Sequence, residues 1–201
     1  MVFIMRVCKK YNFILAKRSA LCFLSVILLC LSASCQVFAA GIFVRSADTT
    51  LSGKIYRLNA DIDYRLTDEV VDALHNGVPL VITIEMHVLR NREYIWDVLV
   101  ATLKQKYQLS YHALTKRYLL KSLNTNVVHN FSSLVDALHS MGRLRNFPLL
   151  DKKLLDDGDA YTARIRSLLD VDQLPTPLRL LAFFSPDWRL DSEWYLWPLQ
   201  D

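Results

Sequence analysis

Cysteine is missing from most of the chain, because all four cysteines lie within the first 39 residues. We call residues 1–39 the leader and residues 40–201 the body, so the body contains no cysteine. No disulfide can staple the body, and no cysteine can act there as a nucleophile. Burial alone therefore has to hold the fold, and a body of this length is enough for a single ordinary domain.

The body also lacks an excess of positive charge. Five of the 24 basic residues lie in the leader, which has no acidic residue, so the body carries 19 basic residues against 20 acidic ones. The sequence pI of about 8.9 is therefore a property of the leader. We expect no nucleic acid among the partners, since nucleic-acid binding depends on a positive surface.

The sequence also lacks recognisable chemical motifs. It contains no GxSxG elbow and no nucleotide-binding or metal-binding motif. Glu85 and His87 share one face of a predicted strand, which is how a metal site can begin, but zinc needs further ligands. Asp61 and Asp63 also share a face, as a carboxylate pair acting on a glycan would. Polar groups on a solvated strand face explain both pairs more simply. We therefore expect no metal, no cofactor and no enzymatic activity.

The leader has the features of an export signal. Its basic start is followed by the apolar run Ala20–Ser32, and Val37 and Ala39 are the small residues that a signal peptidase needs before a cut after Ala39. Two alternatives stay open: lipid attachment at Cys35, and an uncleaved anchor helix, since Ser19–Val44 carries no charge. In each case the body is exported. We expect it in the periplasm, or on the periplasmic face of the inner membrane if it is anchored.

Alternation of apolar and polar residues predicts most of the structure of the body, because side chains on a strand point alternately to two faces. Thr67 and Ser132 are predicted to cap two short helices, which end at Asn76-Gly77 and Met141-Gly142. An extended region is predicted from Tyr94 to about Leu123, where Leu109, Tyr111 and Ala113 alternate with polar residues. The other predicted strands and hairpin arms are Tyr56–Leu66, Leu80–Val88, Arg117–Leu123, Val127–Asn130, Tyr161–Leu169, Leu180–Ser185 and Trp188–Leu199.

About eight strands joined by short turns indicate antiparallel pairing. The predicted fold is therefore mainly β: an antiparallel β-sandwich or partly closed barrel with two or three short helices, behind an N-terminal signal or anchor helix.

A cluster of aromatic residues lies near the carboxyl end of the body. Trp188, Trp194, Tyr195 and Trp197 fall within ten residues, with Arg189 among them. Exposed tryptophan, tyrosine and arginine are typical of sites where partners bind, so these five residues are the predicted partner contacts. The alternative is that the rings fill the core of a body without disulfides.

Several segments, in this order, resemble an uncharacterised family of exported proteobacterial proteins, domain-of-unknown-function family 4390. They are "YRLNADIDYRLTDEVVDALHNGVPL", "YQLSYHALTKRYLL", "FSSLVDALHSMGRL", "LDVDQLPTPLR" and "SPDWRLDSEWYLWPL". The resemblance implies an exported or membrane-attached protein without assigned catalytic residues. Genes of the family often lie beside that of a membrane sensor kinase, which implies a setting in envelope signalling.

These observations favour a non-enzymatic interaction module in the cell envelope, facing the periplasm, with a membrane-bound protein such as a sensor kinase as its partner. The alternative function is a β-barrel that binds a small ligand, a glycan or a lipid in its interior. An envelope hydrolase ranks last, although a Ser/His/Asp triad can assemble in space without a motif along the chain.

Overall fold

The computed structural model describes residues 40–92, 96–156 and 158–199. The predicted signal or anchor helix lies outside the described residues. Within those ranges, no helix has both the length and the apolar character needed to cross a membrane.

Nine β-strands and three α-helices make up the described part of the body. The strands are β1 (Gly41–Ser52), β2 (Ile55–Arg65), β3 (Leu80–Arg90), β4 (Val98–His112), β5 (Arg117–Ser122), β6 (Val128–Phe131), β7 (Arg143–Asp151), β8 (Tyr161–Leu169) and β9 (Tyr195–Pro198). The α-helices are α1 (Asp68–His75), α2 (Leu134–Gly142) and α3 (Thr176–Phe184). Three short 3-10 helices lie at Lys152–Leu154, Val171–Gln173 and Pro186–Trp188.

The strands form two antiparallel sheets. One has the order β1-β2-β7, and the other has the order β6-β5-β4-β3-β8-β9. The mainly β, antiparallel fold with two or three short helices is thus confirmed. In the described part of the body, the two sheets do not close into a barrel.

Period-two alternation places the core between the sheets. Along β2, every second residue from Tyr56 to Tyr64 is buried, and the same holds on β8 from Tyr161 to Leu169. These inner faces belong to one apolar core. Tyr64 and Ser167 share a buried hydrogen bond of 3.0 Å between their hydroxyl oxygens, which ties β2 to β8 across it.

The helix caps are largely as predicted. Thr67 accepts a hydrogen bond from the backbone N–H of Val70 at 3.3 Å and begins α1. The second helix is capped by Ser133 instead of Ser132, since the Ser133 hydroxyl accepts from the Val135 N–H at 3.1 Å.

The predicted strand at Leu180–Ser185 is wrong, because this segment lies mostly in α3. A prolyl ring fixes φ near its helical value, and Pro177 stands in the first turn of α3, where its missing N–H costs nothing. The predicted final strand is also too long. It starts at Tyr195, and Trp188 ends a 3-10 helix instead.

Two strands that the sequence did not predict complete the three-stranded sheet. They are β1 and β7, which pair with the two edges of β2. β1 is the last strand of its sheet, as β9 is of the larger sheet. Trp197 on β9 donates its indole N–H to the Thr49 hydroxyl on β1 at 3.2 Å, so these two edges lie side by side.

Candidate functional site

An interruption in strand pairing positions Trp194. The segment before β9 forms a bridge between Asp191 and Leu168, and regular pairing with β8 resumes only at Tyr195, opposite Ile165. One extra residue therefore lies on the Trp194 side, which is the arrangement of a β-bulge. Ser192 holds the bulge in place, because its hydroxyl accepts from the β8 backbone at 2.9 Å.

The Trp194 ring covers basic side chains on the outer face of the larger sheet. The guanidinium carbons of Arg164 and Arg166 lie 4.3 and 4.5 Å from its ring centroid. The His87 ring lies 4.6 Å from it on the neighbouring strand. Cations over an indole face are attracted by its quadrupole, so Trp194 is held as a fixed, half-buried ring.

Glu85 balances this cluster electrostatically. Its two carboxylate oxygens lie 2.6 Å from the Lys104 amine and 2.7 Å from the Arg166 guanidinium. Burial raises the pKa of Glu85, but the hydrogen bonds from Lys104 and Arg166 lower it more, and the net shift is downward. Glu85 is therefore an ionised, buried carboxylate, and the solvated face expected for this strand is covered by side chains instead.

His87 faces cations, which favour its neutral form. Burial lowers its pKa, and the charge of Arg164 lowers it further against the opposing effect of Glu85. Arg164 donates to the Nδ1 atom of His87 at 3.1 Å. Both groups of the hypothetical metal pair are thus engaged with cationic partners. Among the described residues, no cluster of three or more His, Cys, Asp or Glu side chains is placed to hold a metal ion.

A groove runs beside Trp194, between the start of β1 and the segment that leads into β9. Its volume is about 390 Å³. We call it the edge groove, and it is lined by Ile42, Phe43, Val44, Asp191, Ser192, Glu193, Trp194 and Tyr195. The hydrogen bond between Trp197 and Thr49 holds the two edges together beyond the groove.

The edge groove combines aromatic rings with two exposed carboxylates, and arginines also lie beside the Phe43 and Trp194 rings. Phe43, Trp194 and Tyr195 bring three rings to its walls, while Asp191 and Glu193 are exposed carboxylate residues. Such a surface can bury an apolar side chain and pair with a cation at the same time.

The five predicted partner contacts separate into two groups. Trp188 and Trp197 are buried in the core, and the Trp188 indole N–H donates to Glu69 at 2.9 Å. Arg189 is exposed, and Trp194 and Tyr195 are half-buried at the edge groove. Of the five predicted contacts, Arg189, Trp194 and Tyr195 are therefore accessible to a partner. Trp188 and Trp197 instead fill the core, which is the alternative that the sequence left open.

Asp61 and Asp63 are held in ion pairs on the smaller sheet. Asp61 lies 2.6 Å from Arg145, and Asp63 lies 2.7 Å from Arg45 and 3.0 Å from Arg65. The hydrogen bond from Arg45 holds the pKa of Asp63 below its ordinary value, against the raising effect of burial. This is the cross-strand ion pairing that the sequence favoured. A general acid would instead need a raised pKa.

Phe43 and its neighbours on β1 are not among the contacts predicted from the sequence. The alternation of β1 changes phase between Val44 and Ser46, where the pairing with β2 shifts register. A strand whose period is broken in this way gives no clear signal to a pattern search.

The comparison with protein families identifies the family. The profile of the family described as Domain of unknown function (DUF4390) matches residues 39–198. The chain belongs to this family, which confirms the resemblance seen in its sequence segments. Neither the curated proteins nor the solved structures gave a match.

Proposed function

We propose that this protein is an exported, non-enzymatic interaction module of the cell envelope, facing the periplasm. Its edge groove binds an extended segment of a membrane-bound partner. The observation that carries the proposal is the groove itself, about 390 Å³ between two strands that each end a sheet.

Backbone chemistry favours an extended peptide as the occupant. A strand at the edge of a sheet presents N–H and C=O groups that have no strand partner on that side. Proteins commonly bind peptides by adding them as a further strand to such an edge, while side-chain pockets supply specificity. β1 offers the edge, and Phe43, Trp194 and Tyr195 offer the pockets.

Charge favours a basic segment. Asp191 and Glu193 belong to the groove, and the ion pairs among the described residues involve neither of them. A lysine or arginine of the partner would meet these carboxylates on the rim, which steers association and selects the partner. The family resemblance adds the expectation that the partner is a membrane sensor kinase.

The interior of the fold argues against the alternative function, a barrel with a ligand in its lumen. Such a protein needs an internal cavity of several hundred Å³. Leu58, Ile84 and Met86 are fully buried between the two sheets and fill that space. We therefore propose the surface groove, and not the interior, as the binding site.

Photo-crosslinking in intact cells tests the proposal. Tyr195 is replaced by p-benzoylphenylalanine, and its neighbour Leu196 is replaced in a matched control. Tyr195 lines the groove, whereas Leu196 is exposed on the opposite face of the same strand. We expect a discrete adduct with one envelope protein from position 195 and none from position 196.

A second pair of variants links any adduct to the groove. Phe43→Ala and Glu193→Lys are each expected to reduce the adduct from position 195, whereas Leu154→Ala, on the opposite end of the body, leaves it unchanged. Equal adducts from positions 195 and 196, or an adduct that Phe43→Ala does not alter, would count against binding in the edge groove.

A further inference from the structure

α3 turns an apolar stripe toward solvent. Pro177, Leu180, Leu181 and Phe184 recur at the spacing of one helix face. Leu180, Leu181 and Phe184 are 65%, 64% and 81% exposed, and Phe183 beside them is 68% exposed. The rings of Phe183 and Phe184 meet edge to face, with centroids 5.4 Å apart.

This orientation is the reverse of what a helix in a water-soluble fold normally adopts. A surface helix buries its apolar stripe and exposes its polar residues. In α3, Ala182 is buried and Leu178 is partly buried, whereas Leu180, Leu181, Phe183 and Phe184 point outward. A contiguous apolar patch of this kind marks a surface that meets another apolar phase.

The position of α3 in the body indicates which phase that is. Gly41, where the leader joins the body, pairs with Arg65 at the end of β2. Two residues later, Thr67 donates its hydroxyl to the Asp187 carbonyl at 3.0 Å. Ser185, directly after α3, donates to Glu69 on α1 at 3.3 Å. The carboxyl end of α3 and the junction with the leader therefore lie at the same end of the body.

The sequence that directly precedes Gly41 is mainly apolar. The sequence from Ser19 to Val44 has no charge and runs into the first residues of β1. Two exposed arginines accompany the apolar face: Arg179 lies within α3, and Arg189 lies five residues after its end. Basic side chains beside an apolar helix face are suited to the phosphates of lipid headgroups.

We propose that α3 is an interfacial helix whose face formed by Leu180, Leu181, Phe183 and Phe184 lies in the lipid surface at the leader-proximal end of the body. Helices of this type lie in the plane of the bilayer interface with their apolar side inserted and their basic side chains at the headgroups. The lipid contact orients the body, so the edge groove has a fixed orientation relative to the membrane plane. This surface is separate from the groove, so either proposal can fail without the other.

Lipid crosslinking tests the proposal. The full chain carrying p-benzoylphenylalanine in place of Phe184 is reconstituted into vesicles of phosphatidylethanolamine and phosphatidylglycerol, irradiated, and analysed by peptide mass spectrometry. The matched control carries the same group in place of Leu154, which is also exposed. Leu154 lies near the turn between β1 and β2, because the Lys152 N–H donates to the Lys54 carbonyl. This turn is about 35 Å from Gly41 along β1.

We expect a phospholipid adduct at position 184 and its absence at position 154. The double substitution Leu180→Asp with Leu181→Asp is expected to abolish the adduct at position 184 while the far-ultraviolet circular dichroism of the protein is unchanged. Equal lipid adducts at both positions would overturn the proposal. It would equally be overturned by an adduct from position 184 to a second copy of the chain or to the leader, without lipid.

Discussion

Gly142 packs so closely against β2 that a methyl group at this position should be costly. A Cβ atom added to Gly142 would overlap the carbonyl oxygen of Ile62, and it would lie 3.1 Å from that carbonyl carbon and 3.3 Å from the Tyr64 ring. β2 is the middle strand of its sheet and is paired on both sides. The backbone at Ile62 therefore cannot retreat without disturbing the pairing to its neighbours.

The magnitude follows from these contacts. Overpacking a well-packed site costs about 1–3 kcal/mol, and backbone neighbours place Gly142→Ala toward the upper end. Replacing glycine by alanine inside a helix returns roughly 0.5–1 kcal/mol. The net loss in the free energy of unfolding is then about 2 kcal/mol, which lowers the melting temperature by roughly 4–8 °C for a protein of this size.

Urea unfolding followed by circular dichroism measures the effect, with Gly77→Ala as the control. Gly77 has φ +87° and no heavy atom within 4 Å of an added Cβ, so its substitution carries only the backbone strain of about 1 kcal/mol. If Gly142→Ala unfolds at the same urea concentration as the unchanged protein, or later than Gly77→Ala, the close approach of α2 to β2 is wrong.

Three further predictions concern stability. The pKa values of Asp63 and Glu85 are lowered in the folded protein. Their contribution to the free energy of unfolding is therefore complete above the ordinary pKa values of 3.8 and 4.5, and it is lost as the pH falls through the folded values. Glu85→Gln should make the urea midpoint depend less on pH in the acid range, and an unchanged dependence would contradict this. Trp197→Phe removes the hydrogen bond to Thr49 and part of a buried ring, so it should cost more than the roughly 1 kcal/mol of the bond alone in urea unfolding. Adding Thr49→Val to Trp197→Phe should cost little more, and additive losses would argue against the bond. Thr67→Ala removes both the cap of α1 and the hydrogen bond to the Asp187 carbonyl, and it should cost roughly 1–2 kcal/mol. Thr67→Ser keeps the hydroxyl and should restore most of the loss; equal losses would mean that the hydroxyl makes neither contact.

The regular strands were predictable because burial on one face imprints a period of two on the sequence. β2 and β8 keep that period without interruption, and both were predicted nearly to the residue. β1 changes phase near Arg45, and the pairing of β7 with β2 shifts register twice. Asn146 on β7 also has φ +52°. A bulge reverses which residues of a strand face the core, so the alternation of apolar and polar residues does not continue across it. The sequence therefore does not predict these two strands.

α3 shows the limit of composition as a guide. An uninterrupted apolar run fits a buried strand as well as a helix segment, and periodicity alone cannot separate the two. Pro175 and Pro177 precede the run, and Pro177 stands in the first turn of the helix. Proline in a first turn with an apolar residue three and four positions later was the signal that favoured the helix.

The candidate site depends on register, which the sequence does not state. Trp194 meets Arg164 and Arg166 because a bulge before β9 re-aims its side chain, and His87 reaches the same ring because β3 pairs with β8. The aromatic cluster was visible as composition, yet its division into core and surface rings depends on where β9 begins.

The bond from Trp197 to Thr49 joins the two ends of the body, since β1 is the first strand after the leader and β9 the last strand described. A product cut short before Tyr195 would expose the part of β8 that pairs with β9, from Thr162 to Ile165, and leave Thr49 without its bond to Trp197. Fraying would begin at both edges together, and proteases would meet extended backbone there. The contact between β1 and β9 therefore makes the stability of the first described strand depend on the presence of the last one.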